Sequence, residues 1–89
     1  MKKSLSIRVK GRVQNVGFRY HTNKNANELG IRGFVQNKPD GSVYLEAEGE
    51  ESDLQKLVDW LHRGPGWAEV EEVEVTEQPL QQYNSFKVR

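Results

Sequence analysis

The chain has 89 residues, a length that favours a single domain over 1–89, and its lack of cysteine excludes disulfides and thiolate metal sites. Thirteen basic and thirteen acidic residues give zero net charge, which argues against a strongly basic nucleic-acid-binding protein. No stretch has the length and apolar character of a membrane span or a signal peptide, so we expect a cytoplasmic protein.

The charges are unevenly distributed along the chain, because seven basic residues precede the first acid, Glu28. Three of them, Arg8, Lys10 and Arg12, alternate along the first predicted strand. We interpret this row as the solvated face of that strand, and a surface for nucleic acid is the alternative.

The first half of the chain predicts two strands around a helix, followed by a third strand. The first strand has its apolar residues in one phase of a period-two pattern: Leu5, Ile7, Val9 and Val13. A helix over about 20–29 follows, with Gly30 as the glycine after its end and one face formed by Phe18, Thr22, Ala26 and Leu29. Strands are predicted at 32–37 and 42–48, joined by the turn 38–41, with three residues pointing inward: Val43, Leu45 and Ala47.

The second half predicts another helix and two more strands. Ser52 and Gln55 have the spacing of a capping box, and Gly64-Pro65-Gly66 ends the helix. Its buried stripe consists of Leu54, Leu57, Val58 and Leu61. A strand over 68–76 follows, in which a slip of the apolar phase between Val70 and Val73 indicates a bulge, and Phe86 and Val88 indicate a short last strand.

The element order is βαββαβ with an added C-terminal strand. Because βαβ crossovers are right-handed, both helices cover the same face of one antiparallel sheet. We therefore predict an α+β, ferredoxin-like sandwich. This fold carries many functions, so function has to be argued from particular residues.

One candidate site is the segment Gly11-Arg-Val-Gln-Asn-Val-Gly-Phe-Arg-Tyr20, which predicts a strand, a loop and the start of a helix. Backbone N–H groups converge near a helix N-terminus, where the dipole also favours an anion. Gly17 permits close approach of the backbone, and the guanidinium of Arg19 can bind two oxygens of a phosphate. A surface arginine beside a flexible loop is the alternative.

The second candidate is Asn37, in the segment Gly33-Phe-Val-Gln-Asn-Lys-Pro-Asp-Gly-Ser-Val43. An amide can orient a water molecule but cannot deprotonate it, and an asparagine beside a turn is the structural alternative. His21 and His62 lie on separate helices without metal-site spacing, and no Ser-His-Asp or Cys-His arrangement can be assembled.

Together the two segments resemble the acylphosphatase family. Its loop pattern, glycine-Xaa-valine-glutamine-glycine-valine-Xaa-phenylalanine-arginine, is similar to residues 11–19, and its second signature and C-terminal pattern resemble 33–43 and 83–86. The resemblance implies hydrolysis of the carboxyl–phosphate bond of small acyl phosphates. It assigns phosphate binding to Arg19 and orientation of the water to Asn37. The implied phosphate-binding loop comprises Gln14, Asn15, Val16, Gly17, Phe18 and Arg19.

The resemblance implies no metal or organic cofactor. The implied ligands are a small acyl phosphate and free phosphate or sulfate, and we expect a monomer that binds neither nucleic acid nor membranes. One residue departs from the family pattern, because the chain has Asn15 where the family usually has glycine. If that position requires a positive φ, asparagine is the least costly ordinary residue there, although its side chain could crowd the loop or add a donor to it.

Two other functions are compatible with the predicted fold. Acylphosphatase-like domains also occur within larger carbamoyl-transfer maturation proteins, but here no zinc-finger cysteines are present. An RNA-binding domain of the RRM type stacks bases on aromatic residues of its central strands. The exposed phase of the first strand has no aromatic residue, and Tyr44 is the one candidate on the third.

Overall fold

A computed structural model describes all residues, 1–89, and contains five strands and two helices. In chain order these are β1 (Lys2–Arg12), α1 (Phe18–Glu28), β2 (Arg32–Asn37), β3 (Val43–Glu50), α2 (Glu51–Arg63), β4 (Glu69–Gln78) and β5 (Phe86–Val88). Every predicted element is present, and most boundaries differ from the prediction by one to three residues. Neither helix has the length and apolar character needed to cross a membrane.

The strands form one sheet in the order β4-β1-β3-β2-β5. The first four strands pair antiparallel, as predicted, and the two helices pack on one face of the sheet. The ferredoxin-like prediction is thus confirmed. The short β5 lies parallel to β2, with Phe86 opposite Gly33, so the complete sheet is mixed.

The core lies between the sheet and the helices, and the predicted apolar phases point into it. Each strand side chain is fully or almost fully buried at five predicted positions: Ile7, Val9, Val43, Leu45 and Ala47. From the helices, the buried residues are Phe18, Thr22, Ala26, Leu54, Leu57 and Leu61. Each fully buried leucine stabilises the fold by about 1.5–3 kcal/mol relative to an exposed one. Leu5, Leu29 and Val58 are only partly buried at the edge of this core.

The start of α2 differs from the prediction, because Ser52 and Gln55 form no capping box. The residue before the helix is Glu50, and no side chain caps the first turn. The backbone N–H of Glu51 instead donates to the carbonyl of Met1 at 3.1 Å, and the Gln55 amide donates to Asp59 at 2.8 Å. Since α2 follows β3 without a loop, the end of the sheet determines where the helix begins.

The predicted bulge lies in β4 opposite the end of β1. Lys10 pairs with Glu72 and Gly11 pairs with Val70, which leaves Glu71 as the extra residue. A Cβ atom at Gly11 would lie 2.2 Å from the carbonyl oxygen of Glu69, so the close approach of the two strands requires glycine. The bulge is located where β1 ends and the loop to α1 begins.

The basic row of β1 is accompanied by acidic side chains from neighbouring segments. Arg8 donates to Asp40 at 2.9 Å, and Lys10 lies 3.5 Å from Glu74. The glutamates of β4 are exposed, as predicted. These acids offset the charge of the row, so the row presents less positive potential than the sequence alone indicates.

Candidate active site

The loop between β1 and α1 contains an unbroken run of unpaired backbone donors. The N–H groups of residues 15–20 donate no hydrogen bond within the protein, and the first helical donor in this region is His21, which bonds to the Gly17 carbonyl at 3.0 Å. Val16 packs against the core and anchors the middle of the loop. The free N–H groups at the start of a helix create positive potential that attracts an anion.

Two residues give this loop its shape by adopting left-handed backbone conformations. Asn15 has a φ of 63° and Gly17 a φ of 78°. The condition under which asparagine was expected to be the least costly ordinary residue at position 15, a positive φ, is therefore met. The Asn15 side chain is exposed and makes no hydrogen bond within the protein. In proteins, alternation of right- and left-handed residues commonly turns successive N–H groups toward one concavity that can hold an anion.

Arg19 lies in the first turn of α1, and Arg89, the residue that follows β5, holds its guanidinium. Its Nη1 donates to the main-chain carbonyl of Arg89 at 3.0 Å. Arg89 is itself positioned by its N–H, which donates to Val35 at 2.8 Å, and by its guanidinium, which lies 3.9 Å from the centroid of the Phe34 ring. One nitrogen of Arg19 is thus fixed by the protein, and its other N–H donors are available to a ligand.

Asn37 is the last residue of β2 and lies at the same cleft as the loop. The cleft has a volume of about 300 Å³. Its lining comprises Val13, Asn15, Gly17, Phe18, Arg19, Tyr20, Asn37 and Val88. The amide of Asn37 makes no hydrogen bond within the protein and is half-buried. The fold therefore brings residues from both sequence segments to one place.

Gln14 connects the two segments physically. Its side-chain amide donates to the carbonyls of Lys38 at 2.8 Å and Ser42 at 2.9 Å, at the two ends of the turn after Asn37. Asp40 stabilises the same turn, because it accepts hydrogen bonds from the N–H and hydroxyl of Ser42, and these bonds lower the pKa of its carboxyl. Of the predicted site residues, Gln14 and Val16 do not line the cleft.

Three further residues line the cleft that were not among the individually predicted site residues: Val13, Tyr20 and Val88. Val13 and Tyr20 lie within the candidate segment 11–20, whereas Val88 lies outside both segments. Val13 had been assigned to the core, where it is also buried. Val88 reaches the cleft because β5 lies beside β2, and no local pattern reveals that pairing. Tyr20 directly follows Arg19 in the sequence, and this position is the signal that could have identified it.

The connection between β4 and β5 is attached to the sheet face opposite the helices. The Glu48 carboxylate accepts hydrogen bonds from the N–H groups of Gln81 at 2.6 Å and Gln82 at 2.8 Å. Glu46 accepts hydrogen bonds from the hydroxyls of Tyr44 and Tyr83. Burial and the bond to Glu46 raise the pKa of both tyrosines to about 12, so both remain protonated donors.

This attachment matters for the site, because the connection leads into β5. The Ser85 carbonyl accepts from the N–H of Gly33 at 2.9 Å, immediately before β5 begins. Glu46 and Glu48 thereby fix the segment that presents the Arg89 carbonyl to Arg19. The guanidinium is positioned by contacts from the far end of the chain.

The side chains of the cleft favour binding and orientation over proton transfer. No carboxylate, imidazole or thiol lines it, so it offers no side chain of the types that usually act as a general base. It offers a permanent positive charge, a row of N–H donors and an amide that both donates and accepts. This combination stabilises an anion and orients a small polar molecule beside it.

Comparisons with known proteins agree with this geometry. Residues 5–88 match a family model described as acylphosphatase. The chain is 49% identical over 85 residues to an acylphosphatase from Archaeoglobus fulgidus, covering 96% of each protein. The structure is similar to an acylphosphatase from Coxiella burnetii with a TM-score of 0.96 and 38% identity, covering 99% of this chain and 93% of that one. The acylphosphatase from Bacillus subtilis gives a TM-score of 0.95 at 37% identity, with 100% and 99% covered.

Proposed function

The chain belongs to the acylphosphatase family, whose members hydrolyse acyl phosphates, and we propose that Arg19 binds the phosphoryl group while Asn37 orients the attacking water. The observation that carries this proposal is the meeting of three features in one cleft. These are lining residues with unpaired N–H groups (residues 15 and 17–20), the guanidinium of Arg19 and the amide of Asn37.

The loop of residues 14–19 surrounds the phosphoryl oxygens. Its N–H groups donate to these oxygens, and the helix dipole of α1 adds to the attraction. Arg19 keeps one nitrogen on the Arg89 carbonyl and directs other donors at the phosphoryl group. Because these groups are already in place, little reorganisation is needed as charge develops in the transition state.

Asn37 accepts a hydrogen bond from the nucleophilic water through its side-chain carbonyl. The water attacks phosphorus, the bond from phosphorus to the carboxyl oxygen breaks, and the bonding electrons leave on the carboxylate. The products are a carboxylate and inorganic phosphate. Asparagine cannot take the proton of the water, so a phosphoryl oxygen of the substrate receives it.

The absence of a base from the lining agrees with this reaction. A carboxylate is a good leaving group, and it needs little protonation when it departs. The transition state for phosphoryl transfer is loose, so the nucleophile is weakly bonded and gains little from early deprotonation. Orientation of the water and stabilisation of charge supply most of the acceleration.

The proposal is tested by hydrolysis of benzoyl phosphate by the intact chain, by Arg19→Ala and by Asn37→Ala. Each variant should lose on the order of 10²-fold or more in rate, as when a transition-state donor is removed. Lys24→Ala is a matched control, because Lys24 lies on the same helix outside the cleft. Rates in both site variants equal to that of the control would refute the assignment.

A further inference from the structure

The cleft lining includes two exposed apolar side chains in addition to the polar groups of the loop. Tyr20 and Val88 both line it, and they are 65% and 46% exposed. They are two of only six large apolar side chains that are exposed in the whole protein. Exposed apolar side chains in the lining of a cleft that also binds a polar group offer a contact surface for an apolar substituent.

Each of these side chains is adjacent in sequence to one of the two arginines, Arg19 and Arg89, that are joined by a hydrogen bond. Tyr20 follows Arg19, and Val88 precedes Arg89, whose carbonyl accepts the hydrogen bond from Arg19. The two apolar side chains thus share the cleft lining with Arg19 and come from different elements, α1 and β5. A phosphoryl group bound by Arg19 carries its acyl substituent near one or both of them.

The position of the Tyr20 ring is restricted by its neighbour. The Tyr20 and His21 rings lie edge to face, with centroids 5.1 Å apart. His21 in turn lies against Gly17, where a Cβ atom would be 3.4 Å from the imidazole. A ring that is held in this way loses less entropy when a ligand packs on it than a freely rotating ring does.

We propose that Tyr20 and Val88 form an acyl-binding surface that selects apolar aromatic or branched acyl groups over an acetyl group. This inference rests on the proposed function, because the phosphoryl group must first be bound by the loop and Arg19. The acyl group then packs against the Tyr20 ring and the Val88 side chain while the bond to phosphorus breaks.

The experiment compares kcat/KM for benzoyl phosphate and acetyl phosphate in the intact chain, Tyr20→Ala and Val88→Thr. Alanine is the best helix former, and threonine keeps the shape of valine, so both variants are expected to fold. The intrinsic reactivities of the two substrates differ, but they cancel when the benzoyl-to-acetyl ratio is compared between proteins. We expect Tyr20→Ala to lower this ratio about tenfold, the effect of losing a small apolar contact in a pocket.

Val88→Thr should lower the ratio in the same direction, because a hydroxyl replaces an apolar methyl group. Leu80→Ala is the control, because Leu80 is similarly exposed but lines a different cleft beside Lys2 and Glu50. The benzoyl-to-acetyl ratio of this variant should equal that of the intact chain. Inhibition by inorganic phosphate, which has no acyl group, should be as strong in Tyr20→Ala as in the intact chain.

Two results would overturn the acyl-binding surface while leaving the proposed function in place. In the first, neither variant changes kcat/KM for either substrate; in the second, the variants lower both values by the same factor, so that the ratio again stays unchanged. If the intact chain hydrolysed neither substrate, the proposed function itself would be wrong, and this inference with it.

Discussion

The conformation of Asn15 leads to a prediction that separates the role of its backbone from that of its side chain. Asn15 has a φ of 63° at the centre of the proposed phosphate-binding loop, where the family usually has glycine. We compare Asn15→Gly with Asn15→Ala. Both variants remove the amide, but only glycine adopts the left-handed region without steric cost.

The size of the effect follows from the surroundings of this residue. The Asn15 side chain is exposed and makes no hydrogen bond within the protein, so truncation removes little packing. A left-handed conformation costs an ordinary L-residue about 1–2 kcal/mol, and asparagine less. We therefore expect Asn15→Ala to lose about 1 kcal/mol, which lowers Tm by about 4–8 °C in a domain of this size. The free energy of unfolding of Asn15→Gly should stay within about 0.5 kcal/mol of that of the intact chain. Glycine adopts the left-handed conformation without strain, but this gain is offset by the greater conformational entropy of glycine in the unfolded chain.

Thermal unfolding followed by circular dichroism measures the stabilities, and benzoyl phosphate hydrolysis measures the effect on the loop. If the loop shape matters and the side chain does not, Asn15→Gly should be about tenfold more active than Asn15→Ala, since small misplacements of catalytic groups are costly. Equal stability of the two variants would refute the argument from φ. Equal losses of activity would show that the amide itself contacts the substrate.

Two further predictions concern the sheet that supports the site. Glu46→Gln replaces an ionised acceptor, and hydrogen bonds to charged groups contribute about 1.5–3 kcal/mol each, so urea unfolding at pH 7 should show a loss of about 2–3 kcal/mol. Burial raises the pKa of Glu46, but the bonds from Gln78, Tyr83 and Tyr44 outweigh it and leave the pKa below 4.5. The stabilisation by Glu46 is therefore present above pH 4.5 and is lost as the pH falls through the folded-state pKa of Glu46. The difference in unfolding free energy between the intact chain and Glu46→Gln should shrink in acid. A difference that does not depend on pH would contradict this prediction. Gly33→Ala should lose more than about 3 kcal/mol of unfolding free energy, because its Cβ would lie 1.9 Å from the carbonyl oxygen of Glu46. Gly30→Ala is the control: its Cβ would have no atom within 4 Å, and it should lose about 1 kcal/mol. Equal losses would contradict the steric argument.

The fold could be predicted from the sequence where local patterns and burial agree. β1 and β3 have clear alternating patterns of apolar residues, and the phase slip in β4 correctly indicated the bulge at Glu71. The capping box at Ser52 was wrong because a long-range hydrogen bond from Glu51 to Met1 determines the start of α2. Local spacing contains no information about such a contact.

The part of the candidate site that is local in sequence could be predicted, and the part that depends on long-range contacts could not. Asn15, Gly17 and Arg19 are close in sequence, and their arrangement follows from a strand, a loop and a helix. The contact of Arg19 with Arg89 joins residues 70 positions apart through the parallel pairing of β5 with β2. A three-residue strand gives too weak a pattern to predict its partner or direction.

The proposed mechanism assigns different roles to two residues: Arg19 binds the phosphoryl group, and Asn37 orients the water. The most direct test measures, in Arg19→Ala and Asn37→Ala, both kcat for benzoyl phosphate and the inhibition constant of inorganic phosphate. We predict that kcat falls on the order of 10²-fold in both variants, whereas phosphate inhibition weakens strongly only in Arg19→Ala. Undiminished phosphate inhibition in Arg19→Ala, or an unchanged kcat in Asn37→Ala, would contradict the account.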